Sequence, residues 1–444
     1  MTLHNPLAKQ FTPRDLLKFA LPNVVMMIFL SLYTIIDGMF ISRLVGALAL
    51  SATNMFYPVT SVQLGIGIML GTGGSAIIAQ NMGAGRNKEA RQVFTFLTIF
   101  SAAIGCLLAV LCLLFLKPIL LFLGTSALQL SDCYTYAFLM LCFSPLMFLQ
   151  VIFQSFFVTA GKPQLGLFLT VLGGIANMVL DYLFMGPLRM GVAGAAIATG
   201  IGYSVPALVG LVYFSVARKG TLYFIRCPLM LKDLLRACAN GSSEMVSNVA
   251  IAVTTFLFNL IFLYFWAENG VATIAILSYF QFVFSAIFMG FAMGIAPVIS
   301  YKYGAQDNVQ LQAIFRFSIR FILLSALIVY GLARFTIRYT LILFTDVGSP
   351  VYNLSMEGFG IYALQIFFMG INIFASAFFT ALGNGGVSAT ISISRTFIFL
   401  VASLLLLPSL FGQTGVWFAV PLAELLGIFV SIGFLCWGRK KYGY

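Results

Sequence analysis

Two aspartates hold most of the chemistry in this sequence. Asp37 stands in a long apolar run with Tyr33 four residues before it, and Asp181 stands in another with Asn177 four residues before it. Residues four apart share a helix face, so each run presents one polar pair. Thr199 adds a hydroxyl in the next apolar run. Carboxylate, amide and hydroxyl oxygens together make a hard-ligand cluster suited to a proton or to Na⁺. An ionised side chain at the centre of a bilayer costs at least about 2.5–3.5 kcal/mol on insertion scales, so each acid there needs a reason. No Lys or Arg lies deep in these three runs to supply a salt bridge. The bland alternative is that both acids sit near helix ends in water. It is strongest for Asp181, a few residues from Gly186-Pro187.

Three further acids and one arginine fall late in the chain. Glu244 opens the seventh apolar run, Glu357 begins the tenth and Glu424 lies inside the twelfth. Arg395, in the eleventh, is a partner for Glu357 or Glu424, or snorkels to the interface. Glu244 and Glu424 are candidates for touching substrate or for a secondary acidic role. Pro22 shares the first run with Asp37. It lacks an N–H and kinks its helix, which makes it a candidate hinge.

These residues must be positioned by helices in a membrane. Of the 444 residues, 61% are apolar and only 8% are charged, about a third of the share in soluble proteins. Twelve spans are expected, at roughly 16–41, 50–79, 93–116, 134–159, 164–185, 191–216, 241–266, 272–300, 314–336, 357–381, 387–409 and 415–437. Most are long enough to cross about 30 Å of hydrocarbon, and they do not alternate with the period of barrel strands. The fold class expected is an all-α polytopic membrane protein. The longest polar connection divides the chain into an N-lobe (1–217), a cytoplasmic linker (218–240) and a C-lobe (241–444).

Orientation follows from basic residues in the loops. With the N-terminus inside, the inner segments hold seventeen Lys and Arg, while the outer ones hold Arg43, Lys117, Arg189, Arg334 and Arg338. Both termini are therefore expected to be cytoplasmic. The net charge of +12 reads as this bias plus attraction to anionic lipid headgroups, not as nucleic-acid binding.

The halves resemble each other. Gln80-Asn81-Met82-Gly83-Ala84 aligns with Tyr301-Lys302-Tyr303-Gly304-Ala305 at a shift of 221, Phe156-Phe157 with Phe378-Phe379 at 222, and Gly191-Val192 with Gly415-Val416 at 224. Six spans is an even number, so the copies are parallel. They are related by a pseudo-twofold along the membrane normal, an architecture of transporters whose lobes rock about a central cavity. At a shift of 222, Asp37 falls on Asn259 and Asp181 on Ser403, so the second half lacks both acids. A coupling-ion site confined to one lobe would produce that asymmetry.

Several classes of function are excluded. The single histidine, His4, precedes the first span, so no histidine metal site, triad or relay lies in the membrane. There is no GxxxxGK[ST] loop for a nucleotide and no DDxxD, so no enzyme is expected. The seven cysteines sit at no metal-like spacing and read as small hydrophobes. The 46 Phe, 18 Tyr and 18 Met supply apolar and aromatic surface for amphiphilic cations.

The chain resembles the multidrug and toxic compound extrusion (MATE) family, within it the bacterial branch of DinF-like and MepA-like exporters. The resemblance rests on Leu21-Pro22, Tyr33-Thr34-Ile35-Ile36-Asp37-Gly38-Met39-Phe40-Ile41, Gln80-Asn81-Met82-Gly83-Ala84-Gly85, Ala160-Gly161-Lys162-Pro163, Asn177-Met178-Val179-Leu180-Asp181, Gly191-Val192-Ala193-Gly194 through Thr199, and Ala292-Met293-Gly294-Ile295-Ala296-Pro297. It implies two six-helix lobes forming a V and antiport of drugs against a cation. It places the N-lobe ion site at Asp37, Asn177, Asp181 and Thr199, with Tyr33 beside it and Pro22 at the kink; the four ligands are a metal site only if the ion is Na⁺. Other branches carry an acid in the middle of span 10, where this chain has Gln365 and Asn372. The expectation is a plasma-membrane efflux antiporter without cofactors, exporting amphiphilic, often cationic compounds for H⁺ or Na⁺ as a monomer among membrane lipids. A lipid-linked oligosaccharide flippase of the same superfamily is the alternative.

Overall fold

The computed structural model describes residues 5–342 and 344–444, apart from the side chains of Ala47 and Ala252. His4 lies outside the described residues. The helices are α1 (Pro13–Phe40), α2 (Ala47–Met55), α3 (Tyr57–Gly83), α4 (Asn87–Leu114), α5 (Leu116–Phe122), α6 (Leu130–Thr159), α7 (Pro163–Met185) and α8 (Gly191–Val216). There follow α9 (Leu231–Gly304), α10 (Asn308–Leu341), α11 (Pro350–Tyr362), α12 (Ile366–Ala381), α13 (Gly385–Ile393) and α14 (Leu400–Tyr442). No strand occurs among the described residues.

Among the described residues, ten continuous helical stretches are long and apolar enough to cross a membrane. Two hold two spans each, which makes twelve. α9 breaks at Ala267 (φ 53°, ψ −142°) and α14 at Gly412 (φ 58°, ψ −138°). Such left-handed residues reverse the chain without a loop. The breaks obey the repeat: Gly46 and Ala267 end the first span of each half 221 residues apart, and Arg189 and Gly412 end the fifth 223 apart, all with positive φ.

Several boundaries differ from the sequence reading. Residues 231–240, expected in the linker, are helical, because Leu234 and Ala237 bury one face of α9. The second span is split at Phe56, since Pro58 has no N–H to carry the ladder through from α2 to α3. The tenth span carries a 3-10 turn at Ala363–Gln365, and the eleventh a π-turn at Ser394–Phe399.

The remaining linker is tied down on the first half. Arg91 donates to the Thr221 carbonyl (3.0 Å) and the Tyr223 hydroxyl (2.9 Å), and Phe224 stacks on Phe94 at 5.1 Å. Phe94 in turn packs on Phe156 and Phe214.

The halves meet most tightly at the end that carries both termini. A Cβ added to Gly83 would collide with the Tyr301 carbonyl oxygen, and one added to Gly304 with that of Gln80. These repeat partners thus cross backbone on backbone, an approach only glycine permits. Gln80 Nε2 and Ser300 Oγ both donate to the Ala381 carbonyl, at 2.9 and 2.8 Å. The N-terminal segment straps the same end. Thr12 and Asp15 form a reciprocal cap on α1, and the Phe11 N–H donates to Gln310 Oε1 at 2.9 Å. Lys302, 2% exposed, reaches the Ala8 carbonyl (3.4 Å) and Asp307 Oδ2 (3.3 Å).

Burial pushes the Asp307 carboxyl up, but the Gln310 amide and Lys302 outweigh it and hold the group below its usual 3.8. A depressed carboxyl stabilises above its unfolded value and loses that contribution as pH falls through the folded one. Asp307→Ala should therefore lower the stability of the detergent-purified protein by about 1 kcal/mol at neutral pH. In thermal melts the gap to wild type should shrink below pH 3.8.

Candidate functional site

The first candidate site lies where α1, α7 and α8 converge. Asn177 and Asp181 on α7 are fully buried, as is Thr199 on α8 to all but 6%. Asp37 and Tyr33 on α1 are half-buried and face the same space. The α7–α8 pair is close because Gly173 and Gly202 meet: a Cβ on Gly202 would lie 3.0 Å from Asn177 Cβ, and one on Gly173 2.6 Å from the Gly202 carbonyl oxygen. That approach lets Asn177 Nδ2 donate to Thr199 Oγ1 at 3.3 Å.

Asp37 and Asp181 are close enough to interact through their carboxyls. Among the described residues, Asp37 Oδ1, Asn177 Oδ1 and both Asp181 oxygens are buried with no hydrogen-bond partner. Buried acceptors of this kind are normally satisfied. Four such oxygens from three side chains, with no lysine or arginine paired to them among the described residues, form a cage that a proton shared between the two carboxyls, or a small cation, would complete. The donor set fits both a proton and a hard monovalent ion. Asp181 is thus not a solvated helix-end residue, because its side chain is wholly enclosed.

Two tyrosines missed in the sequence stand near this cage. The hydroxyls of Tyr136 on α6 and Tyr203 on α8 lie within electrostatic reach of Asp37, as does that of Tyr33. Tyr203 stands one turn after Thr199, so the four-residue rule would have found it. Tyr136 carries no such signal. Pro22 lies in the body of α1, fifteen residues before Asp37, where Gly290 and Gly294 of α9 press against Ala20–Val24.

The second half is arranged differently. Arg395 Nη1 pairs with Glu424 Oε1 at 2.9 Å. Glu424 Oε2 accepts from Asn372 Nδ2 at 2.8 Å, and Asn372 Oδ1 accepts from Ser431 Oγ at 2.7 Å. Glu424, read as a candidate for substrate or protons, is therefore closed into an ion pair. Glu357 is exposed and takes no part. Glu244 is remote from both groupings in sequence and lines a cavity of about 30 Å³ between the halves, with Asn23, Met26, Gln154, Ser155 and Thr380.

Comparison with known proteins accords with this architecture. The MatE family model matches residues 22–183 and again 244–405, so the two matches start at the repeat offset of 222 residues. The multidrug export protein MepA of Staphylococcus haemolyticus (strain JCSC1435) is 22% identical over 423 residues, which covers 94% of this chain and 92% of that protein. The Staphylococcus aureus (strain MRSA252) protein of the same name is 23% identical over 93% of this chain and 91% of its own length. A multidrug resistance MATE family transporter of the MOP superfamily, solved in an outward-facing conformation, superposes with a TM-score of 0.91. It is 22% identical, and the match covers 100% of this chain and 98% of that one. At that identity the structural likeness shows the fold. The family match spans well over half of the sequence, and on that ground the chain belongs to the MatE family of membrane transporters.

Proposed function

We propose that this protein is a multidrug efflux antiporter. It exports amphiphilic, often cationic compounds across a plasma membrane in exchange for H⁺ or Na⁺, by alternating access of a cavity between two lobes. The observation that carries this reading is the cage of orphaned oxygens at Asp37, Asn177 and Asp181, next to Thr199 and Tyr33. An unneutralised carboxylate pair in a low-dielectric site is strongly unfavourable. Entry of a cation relieves that, so the ion's binding free energy is available to bias the lobes. The names of the MepA relatives agree with drug export.

With both termini cytoplasmic, the crossing at Gly83 and Gly304 closes the inner side. The ion then enters from outside and meets Asp37, which is half-buried, before Asp181, which is enclosed. Pro22, which lacks the N–H for one rung of the ladder, gives α1 a point at which to bend against α9. An oligosaccharide flippase would need free basic groups for a pyrophosphate. Arg395, deep in the second half, is already committed to Glu424.

Proteoliposomes given separate proton and sodium gradients test the reading. Efflux of a cationic dye should follow one gradient, and Asp37→Asn should reduce it more than about tenfold, equivalent to 1.4 kcal/mol; undiminished efflux would refute the coupling site. Gly202→Val should push α8 off α7 and weaken gradient coupling while far-UV circular dichroism stays unchanged. Pro22→Ala restores the missing rung of the α1 ladder and stiffens the helix, so transport should slow and its pH dependence should shift. A wild-type rate and profile would remove the hinge.

A further inference from the structure

Residues 5–12 lie as a strap across the seam between the halves. Asn5 Oδ1 accepts from the Leu7 N–H at 3.0 Å and caps a 3-10 turn at Pro6–Ala8, so the segment has local structure of its own. Its first end rests on the first half. Asn5 Nδ2 reaches Met82 Sδ at 3.7 Å, and Pro6 packs so closely that a Cβ on Gly161 would lie 2.7 Å from it. Its middle rests on the second half. Lys302 Nζ donates to the Ala8 carbonyl (3.4 Å), Gln10 Nε2 to Asp307 Oδ2 (3.3 Å) and the Phe11 N–H to Gln310 Oε1 (2.9 Å). The chain then returns to the first half through the Thr12 cap of α1. Met82 adjoins Gly83 and Lys302 adjoins Tyr301, so the strap runs over the place where the two backbones cross.

The turn that receives the strap is built for it. Asp307 Oδ2 accepts from both Lys302 and Gln10, and its Oδ1 accepts from the Gln310 N–H at 3.2 Å, which fixes the residue that holds Phe11. At a shift of 221, Lys302, Asp307 and Gln310 correspond to Asn81, Arg86 and Glu89. Both turns share a backbone, with positive φ at Gly85 and at Gln306. In the first half, however, Arg86 and Glu89 pair with each other at 3.6 Å, and both side chains are more than half exposed. Only the second half has the side chains to hold a segment of the other. The bond from Gln10 to Asp307 is exposed. Water can replace such a bond at little net cost, so the grip is reversible. It is also short of slack. Phe11 is bonded to the second half and Thr12, the next residue, caps α1, which packs on α7. Consecutive Cα atoms lie only about 3.8 Å apart, so the halves part at this end only if the strap lets go.

We infer that residues 8–11 are the latch of the inner gate: seated on Lys302, Asp307 and Gln310 they hold the halves together, and they leave that turn when the cavity opens inward. The inference rests on the alternating-access reading and deepens it by naming the contact that is released. The glycine crossing beneath the strap brings backbones together without interlocking side chains, so the strap supplies the side-chain bonds that a gate needs at this end.

The test is labelling of Ala76→Cys by a water-soluble maleimide in the purified full chain in detergent, read at residue 76 by peptide mass so that the seven native thiols do not interfere. Ala76 is 3% exposed, lines the cavity between the halves and stands two turns from Gly83. Adding Gln10→Ala and Gln310→Ala should speed labelling about tenfold. Asn5→Ala, which loosens the strap on the first half alone, should leave the rate unchanged, as should Arg86→Ala at the corresponding turn. If the combined variant fails to fold, Gln10→Ala alone, at an exposed position, reads the same latch with a smaller rise. An unchanged rate in the Gln10 and Gln310 variants would overturn the latch and leave the antiport reading standing. An equal rise in Asn5→Ala or Arg86→Ala would mean general loosening and would overturn it too. Fast labelling of Ala76→Cys by itself would mean that this side is not closed, and would overturn the gate in the reading beneath.

Discussion

An ionised carboxylate in a low-dielectric interior must be paired, protonated or supplied with a cation, and this protein answers that demand in two ways. In the first half, Asp37 and Asp181 converge with no basic partner among the described residues, and Asp37 Oδ1 and both Asp181 oxygens lack a donor. In the second half, Glu424 is matched by Arg395 and braced by Asn372 and Ser431. The first arrangement is poised to take a charge from outside the chain. The second is complete in itself. Desolvation makes an open acidic site costly to maintain, and that penalty is useful only where occupancy is meant to change.

The scaffold that holds both is a duplicated six-helix unit. Its copies turn at corresponding residues, Gly46 with Ala267 and Arg189 with Gly412, and they cross at corresponding glycines, Gly83 and Gly304. The backbone is therefore nearly symmetric while the polar side chains are not. Symmetry gives two bodies of similar backbone. Asymmetry gives one of them a cluster of unpaired acids and the other a closed charge pair. The glycine crossing and the N-terminal strap both lie at the end that carries the termini.

Packing of small residues does much of the positioning. Gly173 and Gly202 let α7 and α8 approach until Asn177 reaches Thr199. In a membrane, helix association relies on close backbone packing and on hydrogen bonds between helices. The hydroxyl ladder among Ser376, Ser388, Ser392 and Thr380 uses the same device in the second half. Interior polarity is thus concentrated where small side chains bring the helices together.

The sequence by itself determined that this is a polytopic helical membrane protein with a parallel repeat, because span length, hydropathy and the spacing of matched motifs are local or one-dimensional properties. It also singled out Tyr33 with Asp37 and Asn177 with Asp181, which lie one turn apart on single helices and stand out against an apolar background, and the fold brings these helices together. It missed Tyr136 and misjudged where the helices break, at Phe56 and within the linker at 231–240. It left Arg395 open between Glu357 and Glu424. Only the tertiary structure decided those points, because they depend on which helices are neighbours and how closely their backbones approach, and nothing in the spacing along one helix records the face presented by another.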